Sequence, residues 1–144
     1  MSEYDPNYIP IYARFLIGVK IIITNHNGDI LLLKRSDKTS RPHGWDFPGG
    51  GVDKGEDPLT AAIREVQEET SIMITSPILL HISHGEMDAG EYLIIGYSAK
   101  AANNEVTISW EHEDYAWMII SEVSQLLLPD VHKAIFEKYV KSLH

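Results

Sequence analysis

Glu65, Glu68 and Glu69 fall within five residues, with Arg64 just before them. At i, i+3 and i+4 on a helix, three carboxylates converge on one patch of surface. Like charges at that spacing repel, and near a helix C-terminus the macrodipole disfavours anions further. A helix selected for stability alone would carry its glutamates in the first turn. Two readings follow from the residues. The patch is a solvated acidic face, or it is neutralised by a divalent cation. Oxygen-only ligands suit hard cations such as Mg2+ or Mn2+. The Gly-rich run Gly49-Gly50-Gly51 precedes the helix and brings main chain close to the same patch.

The elements that must position these groups are marked in the chain. Asp57 is a good N-cap and Pro58 suits the first helical position. Leu59, Ala62, Ile63, Val66 and Thr70 recur at helical spacing, which predicts an amphipathic helix over Pro58 to Thr70. This places the three glutamates on the arc opposite the apolar stripe. Upstream, Phe15 to Thr24 reads as a buried strand, Asn27-Gly28 as a hairpin turn, and Asp29 to Arg35 as the returning strand. The run from Trp45 to Gly51 is a short extended piece that breaks at Pro48 and the glycines. Downstream, SPILLHIS, EYLIIGYSAK, EVTISW and DYAWMII read as strands. SEVSQLL and PDVHKAIFEKYVKSL read as helices, the second with Val131, Ile135, Phe136 and Val140 on one face. Strands before and after a central helix predict an α/β (α+β) sandwich, a mixed sheet with helices on its faces. One domain over 1–144 is expected, without repeats or a linker.

Composition narrows the class. Hydrophobic residues make up 44% of 144 residues, enough for a sizeable core. With no cysteine, disulfides and thiolate metal sites are excluded. A net charge of −9 weighs against a nucleic-acid backbone as partner. It admits a small polyanion where a cation or a local basic patch meets it. Lys34, Arg35, Lys38 and Arg41 supply four of the twelve basic residues within eight positions. That patch is either a solvated loop or a phosphate-facing one. MSEYDPNYIP has no apolar leader, and no apolar run is long enough for a bilayer. A cytoplasmic protein with small-molecule partners is expected, with no nucleic acid and no membrane; a homodimer stays open. His81 and His84 lack a third ligand nearby, so zinc is not expected.

Gly50, five residues, Glu56, seven residues, then Arg64-Glu65-Val66-Gln67-Glu68-Glu69-Thr70-Ser71-Ile72 resembles the Nudix box, G-x5-E-x7-R-E-U-x-E-E-x-G-U with U a bulky apolar residue. Every fixed position matches except the last glycine, which is Ser71. The box covers 23 of 144 residues. Trp45 to Gly50 is similar to the family's WxxPGG lead-in.

The resemblance implies a Nudix hydrolase, MutT-like, that cleaves a pyrophosphate bond in a nucleoside diphosphate linked to another moiety with Mg2+ or Mn2+. It implies that Glu65, Glu68 and Glu69 bind metal and position the base, and that the Gly50 carbonyl faces the metal. It makes Arg64 and Glu56 the pair that ties loop to helix; Arg64 also has Glu68 within reach one turn on. By the same resemblance Glu111, six residues before Trp117, is a further ligand or the general base, with Glu113 and Asp114 as rivals. Lys34, Arg35 and Arg41 would hold distal phosphates. Trp45, Phe15 and Tyr12 either stack on a base or belong to the core. No proline lies between Pro77 and Pro129, where some ADP-ribose-specific relatives carry one. Tyr92 matches only loosely a tyrosine of some diadenosine polyphosphate hydrolases. These features favour a nucleoside triphosphate, oxidised or not, giving a monophosphate and pyrophosphate. The alternatives are a nucleotide sugar, ADP-ribose, or a binding module without turnover.

Overall fold

A computed structural model describes residues 2–144. Strand β1 (Leu16–Thr24) is central. It pairs in parallel with β6 (Gly90–Lys100) from Leu16↔Tyr92 to Thr24↔Lys100, and β6 pairs antiparallel with β5 (Ile78–Met87). On its other side β1 meets β2 (Ile30–Arg35) only at Thr24↔Ile30, through the Asn-Gly turn. Beyond that turn the two strands part. β4 (Gly49–Gly51) takes the free flank of β1, from Gly18↔Gly51 to Lys20↔Gly49. β2 takes β3 (Trp45–Asp46) and β7 (His112–Met118). The sheet is therefore mixed, as expected.

Side-chain alternation divides the core into two layers. Val19, Ile21, Ile23, Leu31 and Leu33 pack with Ala61, Ala62 and Val66 of α1 (Pro58–Thr70). Ile22, Ile30 and Leu32 pack with Ile135 and Phe136 of α3 (Asp130–Ser142) and with Val123 of the short α2 (Ile120–Val123). This is a sandwich of helix, sheet and helix. EVTISW departs from expectation. It forms no strand; it crosses α1 as an extended loop, with Thr107 N–H donating to the Thr70 carbonyl at 3.0 Å. Val106 and Ile108 pack on the α1 layer, which is why the segment is apolar without being in the sheet.

α1 begins and ends where its caps place it. Asp57 Oδ1 accepts from Leu59 N–H at 2.9 Å and Thr60 N–H at 3.1 Å. Ser71 closes the helix in the left-handed region, φ 62°, and its N–H donates to the Gln67 carbonyl. A β-carbon is strained there and glycine is not. Ser71→Gly is therefore expected to stabilise the fold by about 1 kcal/mol in urea unfolding, with an unchanged m-value. A loss of stability would mean that the serine turn carries compensating contacts.

Candidate active site

β4 and the last two turns of α1 build the site. Gly49 N–H donates to Glu69 Oε2 at 3.2 Å. Gly50 lies so close to Glu65 that an added β-carbon would sit 2.6 Å from its carboxylate. Glycine at 50 lets the main chain press against a buried acid. Glu65 and Glu69 are buried, at 9% and 2% exposure, whereas Glu68 is exposed. This corrects the expectation that all three share the solvent arc. β4 covers the flank that carries Glu65 and Glu69, and Ala61 takes the inward place given to Leu59, which is 41% exposed.

Arg64 organises the surface half of the cluster. Its Nε and Nη2 donate to both oxygens of Glu56 at 2.8 and 2.9 Å. Nη2 also reaches the Gly51 carbonyl at 3.1 Å. Nη1 meets Glu65 Oε1 at 3.1 Å and Glu68 Oε2 at 3.3 Å. One guanidinium thus joins the glycine strand, the loop and the helix. The hydrogen bond with Glu56 is the main reason Arg64 is held above its ordinary range, and the same bond lowers Glu56.

Burial pushes the Glu69 carboxyl up to about 8; the charges of Glu65 and Glu111 add to this, while Lys20 and Gly49 N–H oppose it. Burial also raises Glu65, against the pull of Arg64. Two buried acids with repelling neighbours and an all-oxygen donor set fit a hard divalent cation. As the side chains stand, no group of three or more His, Asp or Glu residues among the described residues is arranged to hold a metal ion. Arg64 occupies Glu65 and Glu68 in this conformation, so those carboxylates must turn toward a cation to share it.

Beside β4 lies an open cleft of about 590 Å³. Gly49, Gly50, Lys20, Arg35, Arg41, Glu111 and His132 line one end; Leu16, Ile17, Met87, Tyr92 and Ile94 line the other. Glu111 is the expected carboxylate that lines the cleft itself, and its charge acts on Glu69. Glu113 is exposed and engaged elsewhere, with His43 Nδ1 at 2.5 Å and Lys34 at 3.8 Å. Asp114 is exposed on β7.

The basic loop divides. Lys34 does not line the cleft; pairing with Glu113 draws it away. Arg35 lines it, but its guanidinium donates to the Ser40 carbonyl at 2.6 Å and to Ser40 Oγ at 3.3 Å. Arg41 lines it with much of its guanidinium free. Trp45 packs on the α3 layer, Phe15 meets the His84 ring edge-on at 5.7 Å, and Tyr12 is exposed. None of the three lines the cleft. His84 is paired with Glu91 at 3.0 Å.

Sequence reading missed Lys20, Asp46 and His132. The signal was in GVKIIIT. Lys20 shares the face of Ile22, where alternation calls for an apolar residue, and a buried lysine needs a partner.

The model of the NUDIX domain family matches residues 14–139, and this chain belongs to the Nudix hydrolases. The chain is 33% identical over 134 residues to a bis(5'-nucleosyl)-tetraphosphatase (asymmetrical) of Rattus norvegicus, covering 89% of this chain and 87% of that one. It is 29% identical over 148 residues to an RNA pyrophosphohydrolase of Pelagibacter ubique, covering 88% and 92%. The crystal structure of a MutT protein from Methanosarcina mazei Go1 superposes with a TM-score of 0.76 at 27% identity, covering 93% of this chain and 99% of that one. The expected fold and enzyme class are thereby met: this is a pyrophosphohydrolase of the Nudix type. Among the described residues no helix is long and apolar enough to cross a membrane.

Proposed function

We propose that this chain hydrolyses an anhydride bond in a nucleoside polyphosphate, using Mg2+ or Mn2+ held by Glu65, Glu68 and Glu69 with the Gly50 carbonyl. The observation that carries the reading is the pairing of buried acids against a glycine strand with a cleft that is cationic at one end and apolar at the other. A bound cation supplies charge neutralisation on phosphoryl oxygens and lowers the pKa of a water. The protein's own groups do the rest. Arg64 and Glu56 lock the glycine strand to the helix. Arg41 faces the phosphates, and Arg35 braces the loop that carries it through Ser40. A carboxylate oxygen of Glu111 accepts the proton of the attacking water. The apolar end, with Tyr92, receives the base.

The favoured substrate is a nucleoside triphosphate, cut to monophosphate and pyrophosphate. A second reading, a dinucleoside tetraphosphate, is supported by the rat relative's name and by Tyr92 in the cleft. The net charge of −9 weighs against a long RNA as substrate. The deciding experiment incubates the protein and Mg2+ with ATP, an oxidised guanosine triphosphate, diadenosine tetraphosphate, ADP-ribose and a nucleotide sugar, and resolves the products. Triphosphates are expected to be turned over fastest, with activity lost in EDTA and restored by Mn2+. Preference for diadenosine tetraphosphate selects the second reading, preference for ADP-ribose or the sugar removes both, and full turnover in EDTA removes the cation.

A further inference from the structure

We propose that Asp46 is a positioning residue that sets Lys20 and Arg41 as a two-cation clamp on the phosphate chain of the substrate, a role that rests on the reading of this cleft as a polyphosphate site. Asp46 is 1% exposed, accepts three hydrogen bonds and forms an ion pair with Lys20. Phe47 N–H donates to Oδ1 at 2.8 Å, and His132 Nδ1 meets the same oxygen at 3.0 Å. Lys20 Nζ lies 3.2 Å and Arg41 Nη2 3.0 Å from Oδ2. One carboxylate thus gathers β1, β3, the loop after β2 and α3.

The charges do not cancel. Burial pushes Asp46 up, but Lys20, His132 and Arg41 together hold it far below the ordinary carboxylate range, so it is an anion. Burial lowers His132, which donates as a neutral ring. Two cations face one anion, and a structural ion pair needs only one. The surplus positive charge sits on the wall of a cleft, in a chain whose net charge is −9.

Both cations keep donors in reserve. An ammonium has three N–H groups. Lys20 gives one to the Phe47 carbonyl at 3.0 Å, pairs with Asp46 at 3.2 Å, and lines the cleft. Arg41 gives one hydrogen bond to Asp46, is 45% exposed at its side chain and lines the cleft. A guanidinium held on one edge presents the other as a fork for phosphate oxygens.

The loop that carries Arg41 gives a separate observation. Arg41 and His43 are both left-handed, φ 52° and 65°, and neither is glycine. Such strain persists only where surrounding contacts impose it. Here His43 N–H donates to the Arg35 carbonyl at 2.8 Å, Arg35 Nε to the Ser40 carbonyl at 2.6 Å, and the His43 ring meets Glu113. A loop that only joined two strands would relax by carrying glycine. This one stays strained and turns Arg41 inward onto Asp46. Arg35 acts here as a loop brace, and Lys20 and Arg41 are the phosphate-facing cations. The ligand is an oligophosphate chain with at least three charged groups, long enough to span both.

The test is titration of the full chain with inorganic tripolyphosphate in Mg2+, with melting curves and Mn2+ binding as controls. Lys20→Met and Arg41→Gln are each expected to weaken tripolyphosphate binding about tenfold, and Arg41→Lys by less. Asp46→Asn keeps the shape but frees both cations; it should weaken binding as much as either loss, raise KM for the best nucleotide and leave kcat and the Mn2+ affinity nearly unchanged. A merely structural Asp46 would lower the melting temperature and leave tripolyphosphate affinity within about twofold of wild type; that result overturns the clamp, as does a wild-type protein that binds no tripolyphosphate. Arg41→Gln changes an exposed side chain and keeps the test alive if Lys20→Met fails to fold. Nucleotide hydrolysis with unaltered tripolyphosphate affinity in the variants sinks the clamp alone. Lost affinity in the variants of a protein that hydrolyses no nucleotide sinks the proposed function and leaves the clamp standing.

Discussion

Glu69→Gln is expected to cut turnover by about 10²–10⁴-fold and yet make the metal-free protein more stable near pH 8. The two effects have one origin. Glu69 is buried against Gly49 N–H, and burial favours its protonated form up to about 8. A carboxyl raised in the fold takes up a proton on folding across the window from the ordinary carboxylate range to about 8. Stability in EDTA therefore falls as pH rises through that window. Glutamine has no proton to lose, so the variant should lack the part of this slope that Glu69 supplies. A divalent cation reverses the wild-type trend, because it binds the charged form and displaces the proton. Melting curves near pH 6 and pH 8, with EDTA or Mg2+, check this. Wild type should gain more from Mg2+ at the higher pH, and the variant should gain little at either. A wild-type curve in EDTA that is flat from pH 6 to 8 would show that Glu69 is already ionised, and the argument from burial would fail.

What could be read from the chain was what depends on near neighbours. Asp57, Pro58 and the apolar spacing set α1 from Pro58 to Thr70, because capping and periodicity act within a few residues. The Asn-Gly turn placed the hairpin for the same reason, although β1 and β2 stay paired only at Thr24↔Ile30. The glutamate spacing and Gly50 carried the family. The burial of Glu65 and Glu69 could not be read, since it depends on β4 leaving its loop to pair with β1 far upstream, as the register Lys20↔Gly49 records. EVTISW was apolar enough for a strand, but Thr107 bonds to the end of α1, a contact that local propensity does not contain. Lys34 and Arg35 looked equivalent to Arg41 as charges in one loop. Their partners, Glu113 and Ser40, decide otherwise. Lys20 was legible as a break in an apolar strand, but its partner Asp46 lies on another strand.

Glu111→Gln is expected to lower kcat by about 10²–10⁴-fold with a much smaller change in KM, the pattern for a group that acts in the transition state. Sequence alone left Glu111, Glu113 and Asp114 as rivals. Their surroundings separate them. Glu111 is half-buried, lines the cleft with Gly49 and Gly50, and contributes to the negative potential at Glu69. Its main chain is anchored, since its carbonyl accepts from Ser36 N–H at 2.9 Å. Such an anchor holds the side chain at the cleft without taking up its carboxylate, which is what a proton acceptor needs. Glu113 is exposed and bound to His43 and Lys34, and Asp114 points its Oδ1 at Tyr115 N–H at 2.8 Å. Glu113→Gln should therefore change kcat by less than about threefold. The Glu111 variant should keep its melting temperature in EDTA or gain slightly, because one charge that opposes ionisation of Glu69 is gone. Single-turnover rates and melting curves of both variants decide the matter. If Glu113→Gln proves the damaging change, the loop bearing His43 must open during catalysis. If neither matters, the proton goes to Glu65, the remaining buried acid against Gly50.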